Sequence, residues 1–425
     1  MTEVAGVAAR AAALDAADPL KDFRARFRLP QRADGRPATY LCGNSLGPLP
    51  VAAEARVAGV LADWGRLAVR GHHTGGDPWM NVHERFAAPL ARLVGAAPGE
   101  VVAMNTLTVN LHLLMMSFYR PTAARHRILI ERCAFPSDRY AVVSQLRLRG
   151  LDPADSLIEV GPRAGEDLLR EADLLEAIER AGPSLALVLL PGVQYLSGQL
   201  LDIVALTAAA RRVGAAVGWD LAHAIGNVPL ALHDSGADFA VWCSYKYLCG
   251  GPGAIAGAFV HERHSHDESL PRLAGWWGHD AATRFEMGPE FVPMPGAEGW
   301  QLSNPPVLGL APLAAALELF DAAGLARLRE KSLALTGFLR ELIERLCAGR
   351  IGVITPIADA EHGAQLSLRV RDGRGPLVFE RLAAAGVIGD WRAPDVIRLA
   401  PAPLYNGFAE VESAAQHLAR ALKAA

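Results

Sequence analysis

The sequence predicts an α/β protein with a mostly parallel sheet in a large domain and a smaller α+β domain at the C-terminal end. Three observations carry that prediction. From Glu100 onward, short apolar runs alternate with helix-period segments, the pattern of a parallel sheet covered on both faces. Within Val217 to Gly253, one apolar run ends on Asp220, and a second, Asp238 to Tyr247, carries Lys246 ahead of a glycine-rich turn. After these, an amphipathic run from Val307 to Leu346 leads into the strand-like stretches "AQLSLRV" and "DVIRLAP". At 425 residues the chain is long enough for two domains with a substantial core. The expected division is an N-terminal arm over 1–50 packing with the small domain, a large domain over 51–310, and a small domain over 311–425.

In chain order, residues 1 to about 39 combine an Ala-rich helix with "KDFRARFRLP", and "TYLCGNSLGPLP" is a short strand followed by a Gly/Asn/Pro turn. A helix from about Ala52 to Val69 breaks at "RGHHTGGDPW", where His72 reads most plainly as a surface histidine. Asn105, Thr106 and Thr108 open a helix ending near Tyr119, so this N-terminus is either an anion site or ordinary capping. "RILIERCAF" reads as a buried strand and "PSDRYAVVSQLRLRG" as a helix with Pro136 in its first turn and Ser137 or Asp138 near its cap. Next come a charged helix near Leu168 to Ala181, a strand from Ser184 to Val193, a helix from Ile203 to Gly214 and the strand ending at Asp220. "GGPGAIAGAFVHERH" is a glycine turn and a strand; the spacing of His261, His264 and His266 fits no closed ligand set, so no metal site is expected. Arg398 lies inside an apolar strand-like stretch, where a guanidinium needs an anion, either a structural or a substrate carboxylate.

Composition narrows the function classes. A formal net charge of −3 gives no sign of a nucleic-acid partner. Five cysteines without a C-x-x-C pair suit a reducing compartment, no basic start precedes an apolar block, and the longest apolar runs are broken short of a membrane span. A cytoplasmic protein is therefore expected. Nucleotide-binding glycine motifs are absent from the sequence.

The chain has four lysines: Lys21, Lys246, Lys331 and Lys423. Lys21 and Lys423 lie near the ends and Lys331 in a charged helical pattern, so only Lys246 is expected where desolvation frees an amine as a nucleophile. An acid ending one strand and a lysine ending a later one is what pyridoxal 5′-phosphate (PLP) chemistry requires. The amine captures the aldehyde, and the carboxylate keeps the pyridine nitrogen protonated so that the ring can draw electrons from the substrate α-carbon. An isolated Asp and Lys are more often structural. Here Phe135, Asp220 and Lys246 all fall at strand ends, which in such sheets is where ligands bind.

From about Tyr40 to its end the chain resembles the kynureninases. The matching stretches are "YLCGNSLGPLP", "GHHTGGDPW", "MNTLTVNLHLLMMSFYRPT", "AFPSDRYAV", "GWDLAHAIGN", "FAVWCSYKYL", "GGPGAIAGAFVHE", "GWWGH", "SNPP" and "RLAPAPLYN", ten in order. The resemblance implies an aminotransferase-like, fold type I PLP enzyme working as a homodimer with sites at the subunit interface. It further implies hydrolytic Cβ–Cγ cleavage of L-kynurenine or 3-hydroxy-L-kynurenine to L-alanine and anthranilate or 3-hydroxyanthranilate, in tryptophan degradation and NAD precursor supply. Alternatives are a paralogue acting on a substituted kynurenine or another fold type I enzyme. A cysteine desulfurase would need a reactive loop cysteine, and Gly275 to Pro305 contains none.

Carried onto this sequence, the resemblance makes Lys246 the cofactor-holding base, Asp220 the partner of the pyridine nitrogen with His223 beside it, and Phe135 the ring-stacking residue. Leu107, Thr108, Pro136, Ser137 and Asp138 would line the cofactor site, and Tyr245 would bind phosphate and donate a proton. Trp276 and Asn304 would arrive from the other subunit; Arg398 would clamp the substrate α-carboxylate, and His72, Ser303 and Asn304 would face the aryl ring, with His72 favouring a 3-hydroxyl. The departure is Pro191, where the family commonly carries Ser or Thr near the phosphate.

Overall fold

The computed structural model describes residues 2–424. Its largest sheet has seven strands: β1 (Val101–Ala103), β2 (Arg127–Glu131), β3 (Leu157–Val160), β4 (Leu185–Pro191), β5 (Ala216–Asp220), β6 (Phe239–Trp242) and β7 (Gly257–Val260), in the spatial order β1-β7-β6-β5-β4-β2-β3. The β6-β5-β4-β2-β3 run is parallel, whereas β7 is antiparallel to both β6 and β1. Strands β1, β4, β6 and β7 are almost wholly buried, which explains why they read as unbroken apolar runs and not as alternating ones.

The helices labelled here are α1 (Thr2–Ala17), α2 (Val51–Leu67), α3 (Leu107–Phe118), α4 (Pro136–Leu148), α5 (Glu171–Ala181), α6 (Ile203–Arg212), α7 (Val307–Ala323) and α8 (Leu325–Leu346). A second sheet, all antiparallel, has four strands, β8 (Ile351–Val353), β9 (Leu366–Val370), β10 (Asp390–Arg392) and β11 (Val396–Leu399), in the order β8-β9-β11-β10. Two further helices, α9 (Gly375–Ala384) and α10 (Phe408–Ala424), share a separate apolar core with it and with α8.

The run from Val307 to Leu346 is two helices, bent by 85°. The break is at Gly324, whose φ of 78° is a left-handed value that glycine adopts without strain. Leu310, Leu313, Leu317 and Phe320 of α7 pack in the core of the large sheet, and Leu335, Leu339 and Leu342 of α8 pack in the small one. The boundary expected after residue 310 therefore falls inside a helix of the large core, and the chain changes cores beyond Gly324. No single described helix is long and apolar enough to cross a membrane.

The N-terminal arm packs on the small unit. Thr39 and Tyr40 pair in parallel with Val387 and Ile388, and α1 lies on α10. Lys331 is buried and forms a 2.7 Å ion pair with Asp18, which fastens the arm to α8. Lys331, expected in an ordinary charged helix, is the lysine whose pKa burial lowers, against the opposing pull of Asp18.

Candidate active site

The large sheet delivers its polar residues to one end. Asp220 is the last residue of β5 and sits in register with Pro191, the last of β4. Pro191 costs the sheet no bond, because the β2–β4 ladder has ended at Leu129 and Val188, and on the other side Gly192 N–H bonds the Asp220 carbonyl at 2.8 Å. The cavity beyond these ends is lined by Leu107, Thr108, Phe135, Ser137, Asp138, Asp220, His223, Tyr245 and Lys246. Nine of the residues expected at the cofactor site thus meet around one hollow. Glu131, Val193, Tyr195, Ala222 and Pro191 complete its wall.

Lys246 is not at a strand end as expected. Strand β6 stops at Trp242, and the chain turns through Cys243 to Tyr247. The turn is held by Cys249 N–H to the Lys246 carbonyl (2.9 Å) and Gly250 N–H to the Ser244 carbonyl (2.8 Å). It is also held from the N-terminal arm, since Gly47 N–H donates to the Tyr245 carbonyl at 2.8 Å. A β-carbon at Gly47 would lie 2.5 Å from the Lys246 carbonyl oxygen and 2.5 Å from Cys249 Sγ, so only glycine fits there.

Lys246 Nζ lies 3.0 Å from His223 Nε2 and 5.8 Å from the ring centroids of both Phe135 and Tyr245. Burial, and then the charge of Lys246, hold the His223 pKa well below the usual imidazole value, so its Nε2 accepts from the ammonium. Asp220 Oδ1 accepts from Ala222 N–H at 2.7 Å. Asp138, buried beside it, has one oxygen with no partner, and burial together with the nearness of Asp220 keeps its carboxyl far above the carboxylate range. Burial raises the Tyr245 hydroxyl as well, so it remains a proton donor at neutral pH.

The first turns of α3 and α4 converge on the same cavity. Neither helix has a side-chain N-cap, and Thr108 Oγ1 lies 2.9 Å from Ser137 Oγ. Two uncapped helix N-termini with paired hydroxyls form an anion seat. A site with such a seat, an amine, an aromatic face and unpartnered buried acid oxygens matches the phosphate, aldehyde, ring and pyridine nitrogen of PLP.

No residue of the small unit lines this hollow, Arg398 included, but Arg398 reaches the Tyr195 backbone behind its wall. Arg398 of β11 is fully buried, pairs with Asp390 on the neighbouring strand (Nε to Oδ1 3.0 Å) and donates from Nη1 to the Tyr195 carbonyl at 2.6 Å. Its Nη2 lies 2.8 Å from Asp390 Oδ2, but without an N–H aligned on an acceptor. Arg392 also pairs with Asp390, at 3.0 Å, so two guanidiniums share one carboxylate. Tyr195 lines the cavity, and its ring meets Phe135 edge-on at 5.3 Å.

The other expected residues are not in this hollow. Pro136 starts α4 but does not line it. His72 packs edge-on against Trp79 at 5.5 Å, Trp276 is 41% exposed, and Ser303 and Asn304 lie on an exposed loop. Glu131, Tyr195 and Arg392 were missed from sequence, where each looks like an ordinary strand-end or surface residue. A three-residue group, Glu100, His233 and His261, has metal-like spacing, but its atoms are already used. Glu100 accepts N–H bonds from Ala97 and Glu262, each at 2.8 Å, and His233 at 3.0 Å, while His261 Nδ1 accepts from Arg263 N–H.

The chain is similar to known proteins along almost all of its length. A family described as the kynureninase C-terminal domain matches residues 328–418. A kynureninase of Xanthomonas oryzae pv. oryzae is 60% identical over 407 residues, covering 95% of this chain and 96% of that protein. One of Stenotrophomonas maltophilia is 57% identical over 94% of this chain and 95% of its own. Among solved structures, a cysteine desulfurase of Thermococcus onnurineus superposes with a TM-score of 0.75 at 18% identity (91% of this chain, 95% of that one). A C-DES mutant with glycine covalently linked to its PLP cofactor gives 0.74 at 19% identity (90% and 96%), and both likenesses establish the fold type I architecture. Identity near 60% along almost the whole chain goes much further than shared architecture: the chain belongs to the kynureninase family.

Proposed function

We propose that Lys246, Asp220 and Arg398 are the working centre of this PLP-dependent hydrolase of ketonic carbon–carbon bonds, and that L-kynurenine or its 3-hydroxy form is cleaved there. The observation that carries the reading is the hollow itself, with an amine 3.0 Å from a neutral imidazole, the carboxyls of Asp138 and Asp220, and the paired Thr108 and Ser137 hydroxyls. Residues holding the cofactor would be Lys246 at the aldehyde, Asp220 at the pyridine nitrogen, Phe135 on the ring face, and Leu107, Thr108, Ser137 and Tyr245 around the phosphate, with Pro136 and Asp138 in the surrounding wall. When bound, PLP draws electrons away from the substrate α-carbon.

The chain's own groups then have defined tasks. Lys246 Nζ takes the α-proton, with His223 Nε2 beside it to accept from the ammonium. The Arg392–Arg398 pair, balanced by Asp390 alone, attracts the substrate α-carboxylate, which Arg398 binds. Tyr245 holds the proton that the β-carbon receives. Overall one water is consumed: the γ-carbon leaves as the carboxyl of the aryl acid, and the protonated β-carbon becomes the methyl of alanine.

His72, Trp276, Ser303 and Asn304 belong in this reading to a homodimer's shared site. What supports the dimer is exposed apolar surface on the same elements: Leu61, Trp64 and Val69 in and after α2, and Trp276, Phe285, Met287 and Val292 in the loop that precedes α7. His72 facing the aryl ring would favour the 3-hydroxy substrate, and the homodimer would work in the cytoplasm. Side-by-side turnover of kynurenine and 3-hydroxykynurenine tests the reading. Release of alanine with the matching aryl acid is expected, and bound cofactor without either acid would remove it.

A further inference from the structure

Glu131, the last residue of β2, faces the cavity with a carboxyl that has almost no partners. It is 1% exposed; Oε1 meets the Gln194 amide at a long 3.4 Å, and Oε2 meets nothing. The same hollow contains the unpartnered oxygen of Asp138 and the carboxyl of Asp220, so three acids face one cavity that has a single amine, Lys246. An orphaned buried carboxylate is costly unless a cation or a proton accompanies it. The charged or titratable groups around Glu131 are Asp220 on β5, Asp138 on α4, and Cys133 and Tyr195 on the flanking loops, with Lys246 across the cavity.

We propose that Glu131 is a further positioning residue of this site: through Asp138 and Asp220 it sets how many protons the three acids share, and so how readily the lysine-bound cofactor keeps its proton. The Gln194 amide that touches Glu131 also donates to the Cys133 carbonyl, and its oxygen accepts from Leu196 and Ser197 N–H, which fixes the carboxyl at the wall. Burial, opposed by the Gln194 contact, moves Glu131 up to about 7, so its charge changes in the working range of pH. The inference rests on the reading above that the cofactor's pyridine end meets Asp220.

The test is a pH titration of the holoenzyme's cofactor absorbance, together with the affinity of the cofactor-free protein for PLP, for wild type, Glu131→Gln, Glu131→Asp and Asp220→Asn. Glu131→Gln removes a negative charge without changing size, so the protonation midpoint should fall by about half a pH unit or more, while Glu131→Asp stays near wild type. A Glu131→Gln midpoint equal to wild type overturns the proposal, and so do equal shifts in both variants, which would mean shape alone matters. If Glu131→Gln fails to fold, Glu131→Asp against Glu131→Asn makes the same comparison. Asp220→Asn binding PLP as tightly as wild type would instead remove the underlying reading of the pyridine end.

Discussion

Two of the lysines, the half-buried Lys246 and the buried Lys331, keep very different company. Lys331 is 8% exposed and has Asp18 at 2.7 Å, an ion pair that joins the N-terminal arm to α8. Lys246 sits in the cavity with a neutral imidazole at 3.0 Å, and among the described residues no carboxylate oxygen lies within ion-pair distance of it. A counter-ion fixes an ammonium in place, and a neutral acceptor does not, which suits the reactive role proposed for Lys246. The difference teaches that burial alone does not mark the chemical lysine, and that the partner does.

The largest expected effect tests the reactive member. Lys246→Ala should cut turnover by about 10⁴-fold and abolish the absorbance band of lysine-bound cofactor while leaving the circular dichroism of the fold intact. Near-normal turnover would break the contrast at once. Lys331→Met strands Asp18 and should cost roughly 3–5 kcal/mol in urea unfolding, with the second change Asp18→Leu recovering much of it. A loss below about 1 kcal/mol would mean the pair is a bystander.

Two smaller effects sharpen the picture of the cavity. In the cofactor-free protein, Glu131 is raised by burial from 4.5 to about 7. The folded state therefore binds its proton more tightly than the unfolded chain, and this contribution is present below pH 4.5 and lost as pH rises through about 7. Glu131→Gln should accordingly gain roughly 3 kcal/mol on wild type between pH 4 and pH 8. A gap independent of pH would contradict the burial of a charged carboxyl. Smallest of all, Ser137→Ala leaves Thr108 without its 2.9 Å partner and should weaken PLP binding about fivefold, near 1 kcal/mol.

Much of this was legible in one dimension. Asp220 announces itself because β5 is a short apolar run with an acid as its last residue, and the openings of α3 and α4 are marked by hydroxyls and Pro136. What stayed hidden depends on distant segments. Lys246 read as a strand end because the aromatic Tyr245 and Tyr247 beside it prolong the apolar look of the strand, yet the backbone bonds that curl this stretch into a turn come partly from Gly47. The Lys331 pair needs Asp18, and the shared charge of Arg392 and Arg398 needs β10 beside β11, neither of which local periodicity reports. The division of cores was misplaced because α7 and α8 form one continuous helical pattern until Gly324.

The contact beneath the lysine turn also bears on assembly of the enzyme. Gly47 leaves the ribosome long before Lys246, yet the two backbones must touch for the amine to be presented correctly. Any side chain at that glycine, even one methyl, acts as a wedge driven under the nucleophile. Such a protein would keep its sheet and every group that meets the cofactor, and still arrive with its reactive amine misaimed.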